Sequence, residues 1–378
     1  MAAIIVEYIS AKFTSDVYMN VLALTRYTEL GASSRMRFFQ FAELLSQKNI
    51  NVTFQCLFSD QYISRLYNEG KRDFRDISSA YLHRSSAVRA RGALAELLWI
   101  EKELMPFVPY FIERILIGSK RYVLDFDDAV FHNYDMGSTV KRKLFGNKLK
   151  RLMRSSVAVV GGNAYLAAYA RAAGARTVIQ IPTAIDMRRY SSRQWPERPP
   201  TTLIVGWVGS PATSKYLTYI SDALRIAATK IHLKLRVIGD RNVRIPGVEV
   251  ECREWSELSE VSEIQQFDVG VMPLPDTPWE RGKCGYKLIQ YMGCGVPVIA
   301  SPVGINREII ADGVNGFFAE DTAGWVCALR YCLINYSELR RMGTFGRNTV
   351  KAGYSLEAIA PKLVDALQTA VGLDACAG

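Results

Sequence analysis

Gly282-Lys283-Cys284-Gly285-Tyr286-Lys287-Leu288-Ile289-Gln290-Tyr291-Met292-Gly293-Cys294-Gly295-Val296-Pro297-Val298-Ile299-Ala300-Ser301-Pro302-Val303-Gly304-Ile305-Asn306-Arg307-Glu308, followed by Asp312-Gly313-Val314-Asn315-Gly316, decides the fold. A lysine between glycines opens a short helix whose apolar side is Leu288, Ile289 and Met292. Gly293 and Gly295 end it, Val296 to Ala300 reads as a buried strand, and Val303-Gly304 turns the chain into another helix near Arg307 and Glu308. Helix N-termini beside the strand ends of an α/β sheet gather phosphates, because unpaired N–H groups and the helix dipole point there. Lys283 and Lys287 add full charges beside them.

Outward from this stretch, apolar strands alternate with helical segments, the pattern of parallel α/β architecture. Strands are predicted at Leu203 to Val208, Leu233 to Ile238 and Asp268 to Met272, with a helix over Ser214 to Thr229. The first half repeats the pattern with strands at Val17 to Leu24, Val52 to Leu57, Tyr122 to Asp125, Val157 to Gly161 and Thr177 to Ile181. Arg35 to Lys48 reads as a helix. Leu94 to Leu116 is apolar but carries Glu96, Glu101, Lys102, Glu103, Glu113 and Arg114, and reads as a covered helical segment. Ser191 to Thr202 is polar and proline-rich, the composition of a linker.

The chain of 378 residues is too long for one ordinary core, and two domains are expected. Hydrophobic residues at 49% and charged residues at 22% supply two cores. Seven cysteines with no Cys-x-x-Cys pair argue against a disulfide framework or a zinc site and for a reducing compartment. Ile4 to Ile9 is too short for a signal peptide and is broken by Glu7, and no apolar run reaches membrane-spanning length, so a cytoplasmic protein is expected. The net charge of +10 is concentrated in Lys141-Arg142-Lys143, Lys148, Lys150, Arg151 and Arg154, interleaved with Leu144, Phe145, Leu149, Leu152 and Met153. Such a helix suits an anionic membrane surface, or is a solvated face over a core. No nucleic-acid-reading motif accompanies the charge, which argues against a nucleic-acid partner.

The Gly282–Gly316 stretch resembles the donor-binding core of the nucleotide-sugar glycosyltransferases of the GT-B fold, specifically the large retaining family 4. The resemblance implies two facing Rossmann-like domains with a ligand cleft between them. Residues 1–190 would be the acceptor-side domain, 191–202 the linker and 203–355 the nucleotide-sugar domain. Residues 356–378 would form a final helix crossing back. The wider family carries a Glu-x7-Glu pattern before the Cys-Gly-Val-Pro turn; here those positions are Gly282 and Gln290, so both carboxylates are absent. Gln290 can still hydrogen-bond a ribose diol, without the strength of a carboxylate.

Other motifs take their roles from the same resemblance. Gly31-Ala32-Ser33-Ser34-Arg35-Met36-Arg37 matches a glycine loop facing the donor phosphates, with Arg35 and Arg37 available to an acceptor; a plain strand-to-helix turn is the alternative. Gly209 and Ser210 open the second domain's first loop, and Lys215 matches a diphosphate-contacting lysine. Trp255, in Glu254-Trp255-Ser256, packs on the nucleobase or is ordinary core. Gly304 and Glu308 complete the donor set, with Glu308 either a ligand contact or a favourable charge at a helix start. Asp125-Phe126-Asp127-Asp128 looks like the Asp-x-Asp metal site of the other large glycosyltransferase fold. The paired Rossmann-like halves argue instead for Asp127 and Asp128 as acceptor-orienting or proton-accepting groups, with His132 nearby and no metal. The expected catalytic set is Asp127, Asp128, Lys215 and Lys283.

The resemblance thus implies a retaining transferase that takes a UDP- or GDP-sugar as co-substrate and needs no other cofactor. Its acceptor would be a lipid-linked glycan or a polysaccharide, as in lipopolysaccharide, capsule or exopolysaccharide synthesis. A nucleotide-sugar epimerase or hydrolase of the same fold is the alternative, as is a non-catalytic sugar-nucleotide-binding subunit.

Overall fold

Twelve strands form two parallel sheets in a computed structural model that describes residues 18–69, 74–197 and 201–372. The first holds β1 (Met19–Thr25), β2 (Ile50–Cys56), β3 (Leu97–Glu101), β4 (Tyr122–Phe126), β5 (Ala158–Gly161) and β6 (Val178–Gln180), in the order β2-β1-β3-β4-β5-β6. The second holds β7 (Leu203–Val208), β8 (Leu233–Ile238), β9 (Glu249–Arg253), β10 (Val269–Met272), β11 (Val298–Ala300) and β12 (Gly316–Phe318), in the order β12-β11-β10-β7-β8-β9. Every residue of β3 and β4 is buried, because helices cover both faces. Helices 74–90, 110–117, 148–155 and 164–172 pack on one face of the first sheet. The segment 38–45 and the helix Leu356–Val371 pack on the other.

Chain order reverses between β1 and β3 in the first sheet and between β10 and β7 in the second. Loops leaving adjacent strands part at such a point and open a crevice at the strands' C-terminal ends.

The final helix is fixed at both ends. Ser355 Oγ accepts from the Ala358 N–H at 3.2 Å, and Gly372 follows the helix with φ 85°. Ser355 also bridges to Ile185, and Leu356, Ile359, Leu363 and Leu367 enter the core beneath β1 and β3.

Several local expectations need correction. Leu94 to Leu116 is not one helical segment: it contains the central strand β3, a turn, and the helix Tyr110–Ile117. A continuous apolar run such as Leu97 to Ile100 carries no period of its own, and burial on both faces decides for strand. Arg35 to Lys48 breaks into Ala32–Arg37, a 3-10 turn over Phe39–Phe41 and Ala42–Ser46. Phe38 leaves helical geometry at the break, and its ring packs 4.2 Å from that of Trp99. Ser214 to Thr229 is likewise a 3-10 turn, Lys215–Ile220, followed by the helix Ser221–Ala228.

The basic run forms two helices, Thr139–Phe145 and Lys148–Ser155. Lys148 does not join a surface stripe: its ammonium is buried, 2.7 Å from Glu103 and 2.8 Å from Glu113. The start of the proline-rich segment is anchored rather than free, since Arg193 is buried against Asp268 at 3.2 Å and its guanidinium lies 3.9 Å from the Trp195 ring centroid. Residues 198–200 of that segment, the Ile4 to Ile9 run, Val17, Cys376 and the rest of 373–378 lie outside the described residues. Among the described residues no helix is long and apolar enough to cross a membrane.

Candidate active site

The second sheet presents three lysines at its crevice. Gly209 follows β7 and Gly239 follows β8 with φ 97°; a Cβ on Gly239 would lie 2.3 Å from the Gly209 carbonyl oxygen, so only glycine lets these loops approach. Ser210 caps the short turn Pro211–Ser214, and Lys215 after it is exposed, its ammonium 5.5 Å from the Tyr216 ring centroid. Beyond β10 the chain turns through Pro278–Arg281 and the loop Gly282–Gly285 into the helix Tyr286–Gly293. Lys283 is in that loop and Lys287 in the first turn of the helix. Lys287 is partly buried with its ammonium 5.4 Å from the Trp207 ring centroid. Neither Lys215 nor Lys287 has an ion pair among the described residues. Burial, then the neighbouring Lys283, pull the Lys287 ammonium down to about 8.

The first sheet faces them with a charged cluster at the ends of β1, β3 and β4. Lys102 donates to Ser33 Oγ at 2.8 Å and pairs with Asp127 Oδ1 at 2.8 Å, while Ser33 donates to the other Asp127 oxygen. Ser34 donates to Glu101 at 2.6 Å just behind. Burial pushes the Asp127 carboxyl up, but Lys102 and Ser33 outweigh it and hold the group below its ordinary value. Lys102 reaches this position with φ 64°, a left-handed geometry costing a non-glycine residue on the order of 1 kcal/mol and common at functional sites.

The Gly282–Gly285 loop closes the two sheets on each other. Lys283 Nζ lies 3.6 Å from Asp128 Oδ1, and the Asn163 amide donates to the carbonyls of Lys283 at 2.8 Å and Arg281 at 3.2 Å. Cys284 is buried in the core of the first sheet rather than the second. Two glycines make this contact close: a Cβ on Gly162 would lie 2.3 Å from Cys284 Sγ, and one on Gly282 would lie 2.4 Å from the Ala129 Cβ. Gln180 donates to Glu308 at 3.2 Å, and the Arg35 guanidinium sits 5.5 Å from the Trp255 ring centroid, each pairing a residue of one half with a residue of the other.

The other sequence-predicted residues divide. Trp255 is 37% exposed, with its indole N–H donated to buried Glu260 at 2.6 Å. Arg35 is mostly buried, donating to the Glu29 carbonyl at 2.7 Å, with a second guanidinium nitrogen, Nε, buried and unpartnered. Gly304 has φ 54°, and a Cβ there would meet the Arg281 carbonyl at 2.7 Å. Gly31 is required by Tyr27, whose Cβ would be 2.4 Å from an added Cβ.

Three residues turn away from the roles expected of them. Arg37 is buried, held by Asp125 at 2.8 Å and by the Ile181 carbonyl at 2.8 Å, so it braces β4 rather than meeting an acceptor. Both His132 ring nitrogens are engaged, by Asp135 at 2.9 Å and Tyr165 at 2.8 Å. Gln290 is buried and donates to Tyr190 at 3.0 Å, so its amide faces the core rather than a ribose. Glu280, the carboxylate two residues before Gly282, is bound by Tyr216 and Thr277 and leaves the missing glutamate unreplaced.

The acidic run also divides. Asp125 faces Arg37 and Asp127 faces Lys102, so the first and third residues of the run serve different cations. Among the described residues no group of three His, Cys, Asp or Glu side chains could hold a metal ion.

Sequence reasoning missed Lys102, Ser33 as its partner, Asn163 and the docking role of Cys284. Glycines flanking Cys284, together with Gly161-Gly162-Asn163 after a strand, were the available signal.

Residues 200–335 match the family described as "Glycosyl transferases group 1". No curated protein matches the chain. Among solved structures, sucrose-phosphate synthase from Thermosynechococcus elongatus superposes with TM-score 0.66 at 16% identity, covering 93% of this chain and 98% of that one. HepE from Anabaena, in complex with UDP-glucose, superposes with TM-score 0.65 at 14% identity, covering 93% and 100%. The lipopolysaccharide outer core galactosyltransferase WaaB gives 0.60 at 13%, covering 93% and 99%. The two-sheet architecture is the GT-B fold of these structures, and the glycosyl transferases group 1 match over the second sheet supports a glycosyltransferase.

Proposed function

We propose that this enzyme is a retaining glycosyltransferase that moves a sugar from a UDP- or GDP-sugar to a hydroxyl of a lipid-linked or polysaccharide acceptor in cell-surface glycan synthesis. The observation that carries the reading is the lysine pair at the second sheet's crevice: Lys283 has one carboxylate partner from the opposite sheet, and Lys287 is desolvated with no counter-charge of its own. A site kept cationic at the expense of stability is suited to a diphosphate. Lys215 lies on the neighbouring loop, beside Gly209 and Ser210, and completes the set.

In this reading residues 203–355 hold the donor and residues 1–190 face the acceptor. The segment 191–202 joins them, and 356–378 returns to the first half. As the glycosidic bond to the leaving phosphate breaks, charge grows on the diphosphate, and Lys215, Lys283 and Lys287 stabilise it from fixed positions. Asp127, kept ionised by Lys102, and Asp128 orient the incoming hydroxyl. The leaving phosphate oxygen takes that hydroxyl's proton on the same face of the sugar, so the new bond keeps the anomeric configuration. HepE, crystallised with UDP-glucose, supports the donor class, and WaaB supports a lipopolysaccharide-type acceptor. An acceptor carried on lipid sets the working place at the inner face of the cytoplasmic membrane.

The test is nucleoside diphosphate release from a panel of UDP- and GDP-sugars, with and without acceptor glycans. Acceptor-dependent release is expected. Equal release without acceptor would favour a hydrolase or epimerase, and binding with no release a non-catalytic subunit.

A further inference from the structure

Helices on the outside of the first sheet carry an apolar ridge that the donor cleft does not explain. Phe107, Phe111, Ile115, Met136, Val140 and Leu144 are large apolar side chains between 43% and 71% exposed, within a span of fewer than forty residues. The helix Tyr110–Ile117 presents Phe111 and Ile115 one turn apart; the helix Thr139–Phe145, with no residue buried, presents Val140 and Leu144 one turn apart. Phe107 joins the two, lying just before the first helix with its ring 6.3 Å from that of Phe145 and 5.4 Å from the Lys141 ammonium.

The border of the ridge has one sign of charge. Arg114, Lys141, Arg142, Lys143, Arg151 and Arg154 are exposed. The carboxylates beside the ridge are already bound: Glu113 is buried and paired with Lys148, Asp135 is held by His132 and Tyr169, and residues 136–155 contain none. An apolar patch with a polar rim marks an interaction surface. A rim that is wholly cationic selects an anionic partner, and apolar side chains standing out singly from two helices, rather than lining a groove, suit a fluid surface more than a shaped one.

We propose that this ridge docks on an anionic bilayer. Phe111, Ile115, Val140 and Leu144 enter the boundary between headgroups and acyl chains, and Lys141, Arg142, Lys143 and Arg151 meet the lipid phosphates. The helix Tyr110–Ile117 follows the C-terminal end of β3, and Thr139–Phe145 follows that of β4 after a short helix at His132–Asp135; the same strand ends carry Lys102, Asp127 and Asp128. Docking there sets the cleft rim against the membrane, where a hydroxyl carried on lipid enters. The ridge shares no residue with the donor site, so the inference stands whatever sugar is transferred.

The experiment is vesicle flotation of the full chain with phosphatidylcholine alone and with added phosphatidylglycerol. The wild type should partition at least on the order of a hundredfold more strongly onto the anionic vesicles, as expected for several basic residues at about 1 kcal/mol each near such a surface. Lys141→Glu with Lys143→Glu should remove most of that preference, and raised salt should do the same. Phe111→Ser with Ile115→Ser and Leu144→Ser should lower binding about tenfold, through lost apolar burial. Unchanged melting temperature and UDP affinity would show that both sets of variants remain folded. Wild-type flotation by the apolar variant would overturn the proposal. So would absence of vesicle binding together with a dimer in light scattering that the apolar variant dissolves, which would assign the ridge to a second copy of the chain.

Discussion

Lys283 Nζ lies 3.6 Å from Asp128 Oδ1, so a cation that follows β10 and a carboxylate that follows β4 meet between the two sheets. Burial pushes the Asp128 carboxyl up, Lys283 opposes it, and Asp127 adds to the rise. The pair sets the reactive end of a bound diphosphate against the acceptor side. Replacing Lys283 by Ala is expected to lower kcat by about 10²–10³-fold, by analogy with loss of one preorganised stabilising group. Wild-type turnover in that variant would remove the diphosphate from this position.

Lys287 gives a pH signature. Its ammonium near 8 is charged below that value and neutral above it, so donor kcat/KM should fall as pH rises through about 8. Lys287→Ala should lose that alkaline limb along with most of the activity; retention of the limb would assign it to another group.

The same group makes a stability claim of opposite sign. A lysine near 10.4 when unfolded holds its proton more tightly than the folded protein does, so folding is penalised at neutral pH by on the order of 2–3 kcal/mol. The penalty is complete below about 8 and vanishes as pH rises through the unfolded value. Lys287→Met should therefore raise the melting temperature of the ligand-free protein at pH 7 while weakening donor binding. A lowered melting temperature would contradict the assigned environment.

Much of this was legible in the chain. Leu203–Val208 and Leu233–Ile238 fall where their apolar patterns place them, because each is a single element with clear turn residues at its ends. Glu101-Lys102-Glu103 was not legible. Three successive charges look like part of a helix, yet each meets an oppositely charged partner in a buried cluster: Lys102 itself for Glu101 at 3.5 Å, Asp127 for Lys102, and Lys148, 45 residues away, for Glu103. Lys148 and Arg37 failed for the same reason. A cation in a basic run or beside a glycine loop carries no mark of the distant carboxylate that draws it inside.

Lys102 is expected to hold the fold as well as the site. Lys102→Met leaves Asp127 partly buried beside Glu101 with no cation, a change of about 3–5 kcal/mol by comparison with other broken buried pairs. Urea denaturation measures it, and adding Asp127→Asn should recover much of the loss. A cost under about 1 kcal/mol, typical of an exposed pair, would show that the cluster is solvated.

Gly282 tests whether closure of the halves matters for transfer separately from donor capture. Gly282→Val drives a side chain into Ala129, whose backbone nitrogen would be 2.9 Å from the new Cβ. The loop should lift off the first sheet, lowering kcat by at least about tenfold, since small misplacements of reacting groups cost this much or more. Donor affinity should fall by no more than the roughly tenfold assigned to Lys283, because Lys215 and Lys287 stay on the second sheet. A loss well beyond about tenfold would mean that both halves bind the nucleotide.

The most direct measurement is a calorimetric titration of UDP and GDP into the wild type and into a Lys283→Ala/Lys287→Ala variant. One of the two nucleotides should bind the wild type with one-to-one stoichiometry. The double variant should lose about a hundredfold in affinity, the effect of removing two charge-assisted phosphate contacts of about 1.5 kcal/mol each. Equal affinity in both proteins would contradict the placement of the donor between Gly209, Lys283 and Lys287, and with it the mechanism built on that site.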